Sequence, residues 1–122
     1  MSYGDTGLLA AIRKDAAYFD LTTNSPTTVR KAHAEYEKKG AWLFDAPVSG
    51  GPRGAQSGKL AIWCGGDTDV FDKWKSVLDT IGDQAKYIGP IGAGSVAKLV
   101  HNCYGYIATA AAAEVFSMGV KA

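Results

Sequence analysis

Two short apolar runs separated by one clearly marked helix limit what this chain can fold into more than any other feature. Residues 17–21 and 42–46 have the length and composition of buried strands. Between them, Ser25-Pro26 forms a helix start, with serine as the expected N-cap and proline at the first helical position. Val29, Ala32 or His33, and Tyr36 give that helix an apolar face, and Gly40 stands where it should end. Two strands joined through a helix run parallel, with a right-handed crossover. The segments after them, Thr22-Thr23-Asn24 and residues 47–58, therefore leave the same carboxyl edge of the sheet. In open α/β sheets that edge is where ligands bind.

The remaining elements extend this α/β plan. Asp5 or Thr6 is expected to cap a brief helix carrying Leu8, Leu9 and Ile12. Residues 47–59 are expected to be a glycine-rich loop, followed by a third strand over 60–64. No helix precedes that strand, so it should be antiparallel and the sheet mixed. Asp67 or Thr68 caps a helix with Val70, Phe71, Trp74, Val77, Leu78 and Ile81 on one face, and 84–88 is a fourth strand. If this strand runs parallel to the first two, the next helix also starts at the ligand edge. That last helix runs from about Ala93 nearly to the C-terminus, and at ~1.5 Å per residue it would exceed about 35 Å.

Composition removes several functional classes. The chain has 122 residues, enough for one domain with a true core, and 47% of them are hydrophobic. Its 13 basic and 12 acidic residues leave a net charge of +1, so no basic excess exists to neutralise nucleic acid. Two cysteines, Cys64 and Cys103, cannot build a disulfide framework, and no Cys/His cluster has metal-site spacing; free thiols and no metal are expected. Residues 1–7 are polar and glycine-rich, unlike a secretory signal, and the longest apolar stretch, 103–113, is too short to span a bilayer. The expectation is a cytoplasmic protein with neither a nucleic acid nor a membrane as partner.

Two groups of residues have chemical potential. Ser49-Gly50-Gly51 offers consecutive backbone N–H groups and a hydroxyl, a turn that suits a carboxylate, although glycines also serve tight turns alone. Lys98 and Asn102 are four apart and so share one helical face, with His101 beside it. A lysine in a partly dry cleft can exchange a proton with a substrate hydroxyl, and an asparagine one turn away can serve the same oxygen. Spacing alone favours a surface lysine and a solvated asparagine. His33 and His101 are read as packing or solvent-facing residues. Residues 54–59 look like a phosphate loop but are one residue short, with Leu60 in place of the hydroxyl residue. No G-x-G-x-x-G turn follows a strand within the 122 residues.

Together these segments resemble a known family. Asp45-Ala46-Pro47-Val48-Ser49-Gly50-Gly51, followed by Gly54-Ala55 and Gly58, is similar to the substrate-loop signature of the β-hydroxyacid dehydrogenases, the 3-hydroxyisobutyrate dehydrogenase type. Asp20-Leu21-Thr22-Thr23-Asn24-Ser25-Pro26 resembles the segment that precedes it. Gly92-Ala93-Gly94 through Lys98 to Asn102 resembles the catalytic helix, with Glu114 matching an acidic residue farther along. The resemblance implies a partial Rossmann-type mixed sheet with flanking helices and a long C-terminal helix. Residues 1–92 would be the second half of an NAD(P)-binding domain, and 93–122 the start of an interdomain helix. It implies hydride transfer between NAD or NADP and a small 3-hydroxy acid, or the matching semialdehyde. Lys98 would be the general acid/base, Asn102 its partner, Ser49, Gly50 and Gly51 the carboxylate site, and Thr23 a neighbour of the nicotinamide.

His101 beside Asn102 is similar to the 6-phosphogluconate dehydrogenase branch, but Gly105 stands where that branch has glutamate. The resemblance also implies that the family's dinucleotide turn and its helical domain belong outside these residues. This stretch alone is then expected to be inactive and to self-associate as a homodimer or larger assembly through its last helix. A non-catalytic self-associating module and a plain anion-binding domain remain open as rivals.

Overall fold

The computed structural model describes residues 6–122. A short helix, α1 (Leu8–Ala11), is followed by β1 (Ala17–Asp20), α2 (Pro26–Lys38) and β2 (Trp42–Asp45). Then come β3 (Val48–Ser49), α3 (Gly51–Ser57), β4 (Ala61–Gly65), α4 (Thr68–Leu78), β5 (Gln84–Gly89) and α5 (Ala93–Lys121). The helix starts follow local chemistry, with two corrections. Gly7 is the N-cap of α1 in place of Thr6, and Asp5 lies outside the described residues. Ser25 holds the N-cap position of α2, but its side chain makes no cap bond; Pro26 in the first turn sets the helix instead. Asp67 does cap α4, its carboxylate accepting from the Val70 N–H at 3.0 Å.

Residues 47–59 are not a loop. Val48–Ser49 pairs with β4, and α3 ends at Gly58, whose φ of +64° is a left-handed helix cap. The Ser57 hydroxyl donates to the Arg53 carbonyl at 2.9 Å, closing α3 from within.

Among the described residues the strands form one mixed sheet. β1 and β2 are parallel, from Ala17↔Trp42 to Asp20↔Asp45. β4 is antiparallel to both β2 and β3, as expected, through Asp45↔Gly65, Val48↔Ile62 and Ser49↔Ala61. Those pairs lie in one register, and the Trp63 N–H donates to the Pro47 carbonyl at 3.2 Å between them. β2 and β3 are therefore one strand line interrupted at Pro47, which has no N–H to give.

β5 pairs parallel with β4, with Gly65 beside Gly89. It therefore runs opposite to β1 and β2, so the parallel arrangement on which the expectation for α5 rests does not hold. β1, β2, β4 and β5 nonetheless all end at one level, at Asp20, Asp45, Gly65 and Gly89, and α5 begins there.

Alternation along the strands sorts the core into two layers. Phe44, Ala46, Ile62, Cys64 and Ala85 pack with Phe71 and Leu78 of α4. Leu43 faces the opposite way, with Val29, Ala32 and Tyr36 of α2. Phe44 is wholly buried and stacks on Phe19 at 4.6 Å, a burial worth about 1.5–3 kcal/mol. Val77 and Ile81, expected on the packed face of α4, stay exposed. Only the first turns of α5 are covered: Gly94, Ser95 and Lys98 are buried, and the helix from Leu99 onward is exposed except for half-buried Asn102. No helix among the described residues is long and apolar enough to cross a membrane.

Candidate active site

Asp45 fixes where α5 sits. Its carboxylate is buried, accepting from the Gly92 N–H through Oδ1 at 2.8 Å and from the Ser95 N–H through Oδ2 at 2.6 Å. A carboxylate from a strand thus satisfies two donors of the helix N-terminus, where the helix dipole also favours a negative charge. The approach is close enough to require glycine. A Cβ on Gly94 would collide with the Trp63 carbonyl and lie 2.6 Å from the Asp45 carbonyl oxygen. From this anchor α5 runs back along β4 toward β3.

That direction brings together what the sequence separates. Ser49 lies four residues beyond Asp45 on the strand line, and Lys98 three residues beyond Ser95 on the helix. Lys98 is only 9% exposed, and its ammonium lies 5.7 Å from the centroid of the Trp63 ring. One turn on, the His101 ring packs edge-on against the same indole at 5.1 Å, and its Nε2 stands 3.5 Å from Ser49 Oγ, a long, weak contact. Lys98, His101, Asn102, Gly105 and Thr109 follow each other at helical spacing. Past Lys98, His101, Asn102, Gly105, Tyr106 and Thr109 line a groove of about 240 Å³.

Gly50 and Gly51 adopt φ of +130° and +58°, so the turn after Ser49 does need glycines. Thr23 is exposed on the loop leaving β1, a loop tied to the site where the Ala46 N–H donates to the Asp20 carbonyl at 2.8 Å. Thr22 spends its hydroxyl on Asp20 Oδ1 at 2.6 Å. Among the described residues no hydrogen bond joins Thr23, Gly50, Gly51 or Asn102 to Lys98.

Ser49 and Lys98 are therefore brought to one wall, Asn102 continues it, and Thr23 stands on the neighbouring loop. Asp45, Trp63 and His101 form the frame, and sequence reasoning did not assign them these roles. An acidic residue inside an apolar strand is the signal that marks Asp45. Trp63 and His101 become visible only once the faces of β4 and α5 are known. Elsewhere, a cavity of about 200 Å³ lined by Lys14, His33 and Trp42 lies at the opposite, amino end of β2.

The fold is thus of the α/β class, a mixed Rossmann-type sheet with flanking helices and a long C-terminal helix. The profile of the NAD-binding domain of 6-phosphogluconate dehydrogenase matches residues 1–89. The chain belongs to this family. It is 40% identical over 118 residues to a 3-hydroxyisobutyrate dehydrogenase of Pseudomonas aeruginosa, covering 97% of this chain and 40% of that protein. It is 37% identical over 116 residues to the NAD-dependent L-serine dehydrogenase of the same organism, covering 95% of this chain and 39% of the relative. A structure of Mycobacterium tuberculosis 3-hydroxyisobutyrate dehydrogenase with L-serine superposes with a TM-score of 0.91 at 36% identity, over 96% of this chain and 40% of that one. The chain spans about two fifths of the length of the curated relatives it matches.

Proposed function

We propose that these residues form the substrate side of an NAD(P)-dependent oxidoreductase that oxidises a small 3-hydroxy acid or reduces the matching semialdehyde. The observation that carries this reading is Lys98, an ammonium drawn under β4 beside the Ser49 strand, on the helix that also presents Asn102. Lys98 holds or releases the hydroxyl proton, and Asn102 donates to the same oxygen. Ser49, Gly50 and Gly51 receive the carboxylate through a hydroxyl and backbone N–H groups.

The residues present fit the nicotinamide end of the cofactor, because Thr23 stands exposed at the carboxyl edge next to the Ser49 strand line. The bound nicotinamide supplies the hydride acceptor or donor. The 122 residues hold no G-x-G-x-x-G turn after a strand for its pyrophosphate. In this reading residues 1–92 act as half of an NAD(P)-binding domain and 93–122 as an interdomain helix. The protein works in the cytoplasm, and a second copy covers the exposed apolar side of α5.

Calorimetry tests the assignment. The 122-residue chain should bind 3-hydroxyisobutyrate or L-serine measurably, and Ser49→Ala should weaken that binding. NAD and NADP should bind more weakly than low micromolar, about −8 kcal/mol. Tight cofactor binding together with no response to any hydroxy acid would contradict the assignment.

A further inference from the structure

We propose that Trp63 is a positioning residue of this site, holding the Lys98 ammonium and the His101 ring against the strand that carries Ser49. The inference rests on the role proposed for Lys98. Strand alternation puts Ile62 and Cys64 on the α4 side of β4, so Trp63 must face α5. Its backbone N–H is bonded to the Pro47 carbonyl, two residues before Ser49, so the base of the side chain is fixed to the substrate strand.

The indole then meets both side chains of α5. The Lys98 ammonium is 5.7 Å from the ring centroid, inside the ~6 Å range of cation–π attraction. Lys98 is nine-tenths buried, and among the described residues it has no carboxylate and no hydrogen-bond partner. With the residue buried to that extent, the indole is the group the structure sets beside its ammonium. The His101 ring meets the same indole at 61°, an edge-to-face arrangement that turns Nε2 toward Ser49 Oγ. One side chain of β4 thus sets the height of the lysine and the direction of the histidine.

The rival role is that Trp63 only fills space. Leucine keeps an apolar filler but has no ring face, whereas phenylalanine keeps the face, so Trp63→Leu and Trp63→Phe separate the two. Carbon-edited NMR of the 122-residue chain reads the lysine methylenes, with Lys98→Arg supplying the assignment. The Lys98 ε-methylene protons should lie upfield of those of the other lysines except Lys73, which stands 5.9 Å from the Trp74 ring and serves as an internal control. The Lys98 shift should disappear in Trp63→Leu and persist in Trp63→Phe, while Lys73 does not move.

Titration with 3-hydroxyisobutyrate should show the dissociation constant raised about threefold to thirtyfold in Trp63→Leu and near wild type in Trp63→Phe. An unshifted Lys98 in the wild type, or unchanged affinity in Trp63→Leu, overturns the role given to Trp63. A wild-type chain that shows the shift but binds no hydroxy acid contradicts the proposed function instead, and the Leu and Phe shifts alone then decide the hold of Trp63 on Lys98.

Discussion

At the scale of single residues, the two faces of β4 have opposite chemistry. Cys64 lies wholly buried on the α4 side, where burial, reinforced by the Asp45 carboxylate, pushes its thiol pKa from 9.0 up to about 12. Such a thiol is inert, whereas Cys103 is exposed on α5. The raised value also makes stability depend on pH. Below about 9 both states hold the proton and the native state loses nothing; between about 9 and about 12 only the unfolded chain releases it. Stability is therefore lost as pH rises through that window, by up to about 1.4 kcal/mol per pH unit. Urea unfolding of the wild type and Cys64→Ala should show the wild type losing its advantage over the variant as pH climbs above 9. A gap independent of pH would contradict the burial argument.

At the scale of elements, the tether from Asp45 to α5 carries the arrangement. Asp45→Ala removes the acceptor for two N–H groups at a buried helix start, at a cost of about 2–4 kcal/mol. Asp45→Asn keeps one acceptor and should cost less. Denaturant midpoints in the order wild type, Asn, Ala are expected, and equal midpoints would mean that α5 is held by its apolar contacts alone.

The same scale shows how far the sequence was legible. Strands at 17–20 and 42–45 and helices at 26–38, 68–78 and 93–121 followed from apolar periodicity with Pro26, Gly40 and Asp67 as punctuation. The segment Gly51–Ser57 did not, because two glycines and a proline in seven residues carry turn chemistry; Pro52 and the Gly58 cap hold it helical in spite of that. Two-residue β3 was too short to show a period. Lys98 and Asn102 share a helical face by their four-residue spacing, but only the resemblance singles them out for chemistry. Asp45 and Trp63 depend on how β2, β4 and α5 meet, which local pattern does not encode.

At the scale of the whole molecule, α5 is the unbalanced part. Its 29 residues extend roughly 43 Å, and beyond Lys98 it exposes Val100, Tyr104, Ile107, Val115, Phe116 and Met118 to between 64% and 74%. Exposed apolar surface on this scale favours self-association. Light scattering on the 122-residue chain should give a dimer or larger species at about 100 μM, a concentration at which even micromolar association is nearly complete. A strictly monomeric mass would mean that this surface needs no second copy.

The central claim, that Lys98 carries the proton transfer, is tested most directly by turnover. Residues 1–122 would replace the aligned stretch of the Pseudomonas aeruginosa 3-hydroxyisobutyrate dehydrogenase, with which they share 40% identity. The chimera should oxidise 3-hydroxyisobutyrate with NAD or NADP, and Lys98→Ala should lower its kcat by about 10²–10⁴. A Lys98→Ala chimera that keeps the kcat of its parent would remove Lys98 from the mechanism and contradict the account.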